Sequence, residues 1–453
     1  MQKISAFLMI AVLLFPTLTL ANNTEEKSKK NSLTEEQKII HILNRLGFGV
    51  RQSDIEKVKG IGIKKYIEQQ LNPASLDDSI ADAKVKNLNV LKLSNEELFA
   101  KYPNPGAVMT FIAQRNGMSR SDLMNNRPNQ NQNNNEAEMS EADRRKYQQE
   151  IAEIYRKYNL GRPAQITQQL NASRIIRATY SERQLQEVMV DFWTNHFNVF
   201  ANKAATRWFL PEYDRDVIRP NALGNFKDLL LATAKSPAML FYLDNFQSIA
   251  PNTQNNNRRP MQNQQRRGIN ENYAREIMEL HTLGVDSGYT QKDIQEIARC
   301  FTGWTIVDAR GYRRAFAAMA NGKTDERTER LMRQAGIPID TPSGTFYFNE
   351  RWHDKGEKIV LGQKINEGGI KDGLKVIEIL ANHPSTAKFI ARKLAVKFVS
   401  DNPGEKLVNR VAEAFTKSKG DIKTTLRALF TDEEFFAAEN YRTKIKTPFE
   451  LLV

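Results

Sequence analysis

The sequence predicts a mainly α-helical protein: a multi-helix globular domain with a small β-hairpin insertion near residues 311–365. Three observations carry this. Apolar residues recur at i, i+3, i+4 and i+7 through most of the chain, the period of a one-sided helix. Capping signatures open several of these runs, among them Thr34-x-x-Gln37 and Thr290-x-x-Asp293. The β-prone runs GTFYFNE and EKIVLG are confined to one stretch, with turn chemistry at Asp354-Lys355-Gly356 between them.

The elements follow in order. Residues 1–21 read as a secretory signal peptide: Lys3, an apolar run from Ile4 to Leu20, and a small-x-small site at Thr19-Leu20-Ala21. An uncleaved anchor is the alternative, but the run is broken by Pro16 and short of the ~20 residues a bilayer needs. No cysteine stands near the cleavage site, so a lipid anchor is excluded. Residues 22–33 are a polar tether. From 34 to 453 the pattern reads as one large helical domain or two helical subdomains. A first helix carries Ile39, Ile42, Leu43 and Leu46 and ends at Gly47; a second, over 51–72, takes Ser53 as its cap. Helical patterns continue over 92–124, 138–160, 162–200, 204–250 and 269–309. They resume at 370–382, 385–400, 404–417 and 420–430. The Asn/Gln-rich tracts 125–135 and 252–267 bury too little apolar surface to order and read as disordered insertions. The terminal TPFELLV reads as an interrupted helix, so further C-terminal helices are expected after it.

Composition bounds the function. The net charge of +13 favours anionic partners by long-range attraction, such as an anionic envelope polymer, or simply serves solubility. No nucleic-acid module is present, so no specific nucleic acid is expected. The single cysteine, Cys300, rules out an intramolecular disulfide and reads as a buried thiol beside Ile297 and Phe301. The nucleophile elbow, the phosphate-binding Gly-Lys-Ser/Thr loop and a complete calcium loop are absent; after Asp286 to Asp293, Ile294 stands where a calcium loop needs Glu.

Four stretches carry a family resemblance: HILNRLGFG (41–49), FWTNHFNV (192–199), residues 270–304, and RWHDKGEKIVLG (351–362) followed by 383–401. Together they resemble the bacterial family called domain of unknown function 1800. The resemblance spans about 36–450 outside the two Asn/Gln tracts, and its 270–304 segment is the most specific. It implies export to the periplasm or beyond, and a partner protein of alkaline-phosphatase-like fold encoded nearby. It transfers no catalytic residue.

All five histidines lie in or beside these stretches, which invites a metal or acid–base reading, with a divalent metal as the cofactor to consider. Helix geometry limits it. At about 100° per residue, Glu276, Glu279 and His281 point too far apart to share one ion from one helix. Glu276 edges an apolar arc and is expected to meet Arg45 or Arg299, or else to be catalytic. His196 lies near the centre of the stripe Leu185, Val188, Met189, Phe192, Trp193, His196, Phe200. It reads as a core residue or the floor of a pocket rimmed by Asp191 and Asn195. His41 and Arg45 form a polar second face on the first helix, facing an interface or lining a site. His353-Asp354 suits loop-borne catalysis or plain turn chemistry. His383-Pro384 caps a helix. Two functional readings stay open. One is an exported binding or assembly component, with His41, Arg45, Asn195, Glu279, His281 and Trp304 as binding candidates. The other is a hydrolase-like enzyme using His196, Glu276, His353 and Asp354, with or without a metal.

Overall fold

The computed structural model describes residues 32–117, 141–251, 268–285, 287–322 and 326–453. The signal peptide, most of the tether, both Asn/Gln tracts and Asp286 lie outside the described residues.

The architecture is mainly helical, as expected. The N-terminal part holds α1 Glu35–Leu46, α2 Gln52–Ile61, α3 Ile63–Leu71, α4 Ser79–Val85, α5 Asn95–Lys101, α6 Pro105–Arg115 and α7 Glu141–Lys157. The middle holds α8 Ala164–Tyr180, α9 Gln184–His196, α10 Thr206–Glu212, a π-helical stretch Tyr213–Ile218, α11 Arg219–Asn221, α12 Phe226–Lys235 and α13 Pro237–Tyr242. Then come α14 Glu271–Glu279, α15 Gln291–Cys300, α16 Ala315–Asn321 and α17 Glu326–Ala335. The last group is α18 Ile370–Ala381, α19 Pro384–Phe398, α20 Glu405–Lys417, α21 Ile422–Phe430 and α22 Pro448–Leu452. Among the described residues, no helix is long and apolar enough to cross a membrane.

The capping signatures act as read. Thr34 and Gln37 form a reciprocal box at α1, Thr290 and Asp293 one at α15, and the His383 ring accepts from the Ser385 N–H at α19. The helix expected over 51–72 is two helices. Gly62, at φ 84°, separates α2 from α3, and Arg51 rather than Ser53 occupies the cap position.

The β structure differs in pairing from the expected hairpin. The strands are β1 Trp304–Ile306, β2 Phe346–Phe348, β3 Lys358–Val360 and β4 Gln363–Ile365. GTFYFNE and EKIVLG do not pair with each other: β2 pairs antiparallel with β1, and β3 with β4. The β3–β4 turn is Leu361-Gly362, both at positive φ as a tight two-residue hairpin demands. Asp354-Lys355-Gly356 connects the two sheets instead of closing a hairpin.

One large core joins α1, α9, α12–α15 and α18–α21. A smaller one gathers Val108, Phe111, Ile112, Ile154 and Phe316. In the last group α18 packs on α19, α19 on α20 and α20 on α21, while α15 packs on β3 and α18. Ser32 bridges Ala437 and Leu33 is buried, so the end of the polar lead is held against the C-terminal region. Phe200, read as part of the α9 stripe, is exposed because the helix stops at His196.

Candidate functional site

The histidine candidates fall into three separate places, and the others are scattered. The first is a buried polar knot. His353 Nδ1 lies 2.9 Å from the Thr302 carbonyl, and Nε2 lies 3.1 Å from Asp372 Oδ2. Lys358 donates to the same carboxylate oxygen at 2.6 Å and to the Asp354 carbonyl. Asp372 Oδ1 accepts from the Gly368 N–H at 2.7 Å. Burial would raise the Asp372 carboxyl, but the Lys358 and His353 hydrogen bonds outweigh it and hold it below its ordinary value. Cys300 is nearby and fully buried, and burial pushes its thiol up to about 12. Asp354 does not join His353. Its carboxylate accepts from the Gly356 N–H at 2.9 Å and pairs in bidentate fashion with Arg299 at 3.0 and 2.9 Å. That is turn chemistry fixed by an ion pair.

The second place brings His196 and His281 together, their ring centroids 6.1 Å apart. His196 Nε2 donates to the His281 carbonyl at 3.0 Å, and Nδ1 accepts from Lys393 Nζ at 2.8 Å. Burial, then the Lys393 charge, keeps both imidazoles well below their ordinary value, so both are neutral. Among the described residues, His196 and His353 share no hydrogen-bond partner. Nor is any group of three or more His, Cys, Asp or Glu side chains there placed to hold a metal ion.

The remaining candidates are scattered. Glu276 is half-buried and, contrary to the expectation from sequence, meets neither Arg45 nor Arg299. Arg299 is held by Asp354 and Glu296, and Arg45 turns to backbone carbonyls near the C-terminus. Glu279 pairs with Arg275 at 3.0 Å along its own helix. Asn195 is exposed. Trp304 is fully buried and packs on Gly373, where a Cβ would come within 2.6 Å of the indole. Its Nε1 has no partner among the described residues.

The third place is a cavity of about 470 Å³ between α1 and the C-terminal segment. His41 and Arg45 of α1 and Lys397 of α19 form one side. Arg442, Lys444 and Lys446 of the segment before α22 form the other, with Glu450 of α22. Lys397 pairs with Glu450 at 2.9 Å, and Lys444 pairs with Asp401 outside the lining. Among the described residues, the other three cations have no carboxylate in ion-pair contact. Arg45 donates to the carbonyls of Val399 at 3.2 Å and Asn440 at 2.9 Å, Lys446 to the Phe48 carbonyl, and Arg442 lies over the Tyr441 ring. Burial lowers the Arg45 guanidinium to about 10. His41 is buried against the rings of Phe435, Phe436 and Tyr441, and its Nε2 has no partner among the described residues.

Sequence reasoning found His41, Arg45, His196, His281 and His353 but missed Asp372, Lys358, Lys393 and the C-terminal cations. Lys358 was findable. It stands two residues before Val360 in a strand, so both side chains share the inward face. The alternation Arg442, Lys444, Lys446 was a second signal, three cations at a two-residue spacing in an unpaired segment.

No curated protein and no solved structure matches the chain. The family profile described as "Protein of unknown function (DUF1800)" matches residues 41–453, which begins at His41 and takes in all three places. The chain therefore belongs to the DUF1800 family.

Proposed function

We propose that this protein is an exported binding component of the cell envelope that takes up an anionic group in the cavity between α1 and the C-terminal segment. The observation that carries it is the charge imbalance there: five cations and one carboxylate line the cavity, and among the described residues Arg45, Arg442 and Lys446 have no carboxylate in ion-pair contact. Cations in excess of carboxylates in a concave site attract an anion more strongly than the same charges on a convex surface. The apolar leader of residues 4–20 and the net charge of +13 support the envelope setting and an acidic polymer as the source of the ligand. A partner protein of alkaline-phosphatase-like fold, implied by the family's gene neighbourhood, fits a component that binds and presents.

Titration calorimetry with a short polyuronate tests this. Binding should weaken as salt rises, and Arg442→Glu should abolish it without changing the unfolding midpoint. Salt-independent binding, or an Arg442→Glu protein that binds as well as the parent, would refute the reading.

A further inference from the structure

We infer that Lys393 is a reactive amine with His196 as its base, and that it condenses with a small aldehyde to form an imine. The site is separate from the cavity at α1 and does not depend on the anion-binding reading. Its chemistry starts from the orientation of His196. Nε2 lies 3.0 Å from the His281 carbonyl, which can only accept, so Nε2 carries the ring proton. Nδ1 is therefore a bare lone pair, and Lys393 Nζ stands 2.8 Å from it. That is the reach required between a nucleophile and its general base.

Nothing anionic holds the lysine's proton in place. Lys393 is half-buried, and among the described residues no carboxylate is in ion-pair contact with it. Its neighbours are the neutral rings of His196 and His281 and the ring of Phe389, whose centroid is 5.3 Å from Nζ. The carboxylates of the surrounding elements are engaged elsewhere. On its own helix, Lys388 and Arg392 pair with Glu405, and Lys397 with Glu450. On α14, Glu279 pairs with Arg275 and is the charge nearest Glu276; Asp191 of α9 answers to Lys397 and Arg174. Burial then lowers the Lys393 ammonium below its ordinary value. A lysine that serves structure at such depth is paired with a carboxylate, as Lys358 is with Asp372; the partner here is a base.

The rim beside the amine is apolar. Phe389 packs on Gly284, where a Cβ would come within 3.0 Å of the ring, and Leu280 and Val285 to either side in the chain are 48% and 61% exposed. The carbon chain of a small aldehyde can lie there without desolvating a charge. Nδ1 takes one proton from the ammonium, and the freed nitrogen pair forms the C–N bond as the carbonyl π pair moves to oxygen. The oxygen is protonated, in part by the imidazolium, and leaves as water. One ammonium and one aldehyde thus give one protonated imine and one water, with no change in charge or oxidation state.

The test treats the intact protein with butanal and cyanoborohydride, which traps the imine as a butylamine, and maps the modified lysines by peptide mass spectrometry across a pH series. Near neutral pH, Lys393 should be alkylated at least about tenfold faster than the exposed lysines Lys292 and Lys406, the ratio that one pKa unit supplies. The ratio should shrink at higher pH, where the reference amines lose their protons too. A Lys393 left unmodified, or modified no faster than the references at every pH, would overturn the inference. His196→Gln keeps a donor for the His281 carbonyl and an acceptor for Lys393 but cannot take the proton, and should bring Lys393 down to the reference rate. Fast labelling that survives in that variant would remove His196 as the base. Lys393→Arg should abolish the fast site; a fast site that persists there would belong to another residue. The pH profile of the parent protein decides the question even if His196→Gln fails to fold.

Discussion

The Lys358 ammonium lies 2.6 Å from Asp372 Oδ2, and both side chains are sealed from solvent. Removing one partner strands the other charge in a medium of low dielectric. Lys358→Met should cost about 3–5 kcal/mol in urea unfolding. The double variant Lys358→Met/Asp372→Leu should cost clearly less than the two single variants summed, because the pair desolvates together. It should not be neutral, since Asp372 also holds His353 and the Gly368 N–H. Additive losses would contradict the coupling.

Stability should fall on mild acidification, starting near the ordinary histidine value. Burial, helped by Arg45, lowers His41 to about 4; burial, helped by Lys393, lowers His281 to about 3. The unfolded chain takes these protons near pH 6.5, whereas the folded chain refuses them. The contribution of these two rings is then level above pH 6.5 and declines below it, by up to about 1.4 kcal/mol per pH unit for each ring. Asp372 and Asp354, held below their ordinary values, add losses only below about pH 4. Urea midpoints at pH 5, 6 and 7 measure the slope, and His41→Phe should reduce it by about one proton. An unchanged slope in that variant would rule out His41 as a contributor.

Asp293 joins two elements. Its Oδ2 closes the capping box with Thr290, and its Oδ1 accepts from the Leu361 N–H at 2.8 Å, at the strained turn between β3 and β4. Thr290→Ala should cost about 1 kcal/mol, an ordinary cap loss. Asp293→Ala should cost more, since it also frees a turn that holds a non-glycine residue at φ 49°. Hydrogen exchange should show the Leu361 amide opening faster in Asp293→Ala and not in Thr290→Ala. Equal protection in both would deny the second role.

Helix positions were legible because caps and apolar stripes are local: the boxes at Thr34 and Thr290 needed only residues within one turn of each other. Strand pairing was not. β1 and β2 are three residues each and some forty residues apart, so nothing near GTFYFNE in the sequence marks Trp304–Ile306 as its partner. The candidate residues divide the same way. His41 and Arg45 stood out as a polar face on an apolar helix. Arg442, Lys444 and Lys446 alternate in a segment outside any helix or strand, and only the chain's return to α1 gives them a shared target. Glu276 was assigned arginines already taken by Asp354, Glu296 and backbone carbonyls. Competition for a partner is invisible to local spacing.

That return has a consequence for the protein's birth. Arg45 reaches the Asn440 carbonyl across 395 residues of chain, and Lys446 reaches Phe48 across 398. Loop closure over such a span comes late, after the helices between have formed. The cavity therefore cannot exist on a nascent chain that lacks the segment from Arg442 to Glu450. On the anion-binding reading proposed above, an anion would meet no formed cavity until that segment had closed on α1, and would then stabilise only the closed molecule.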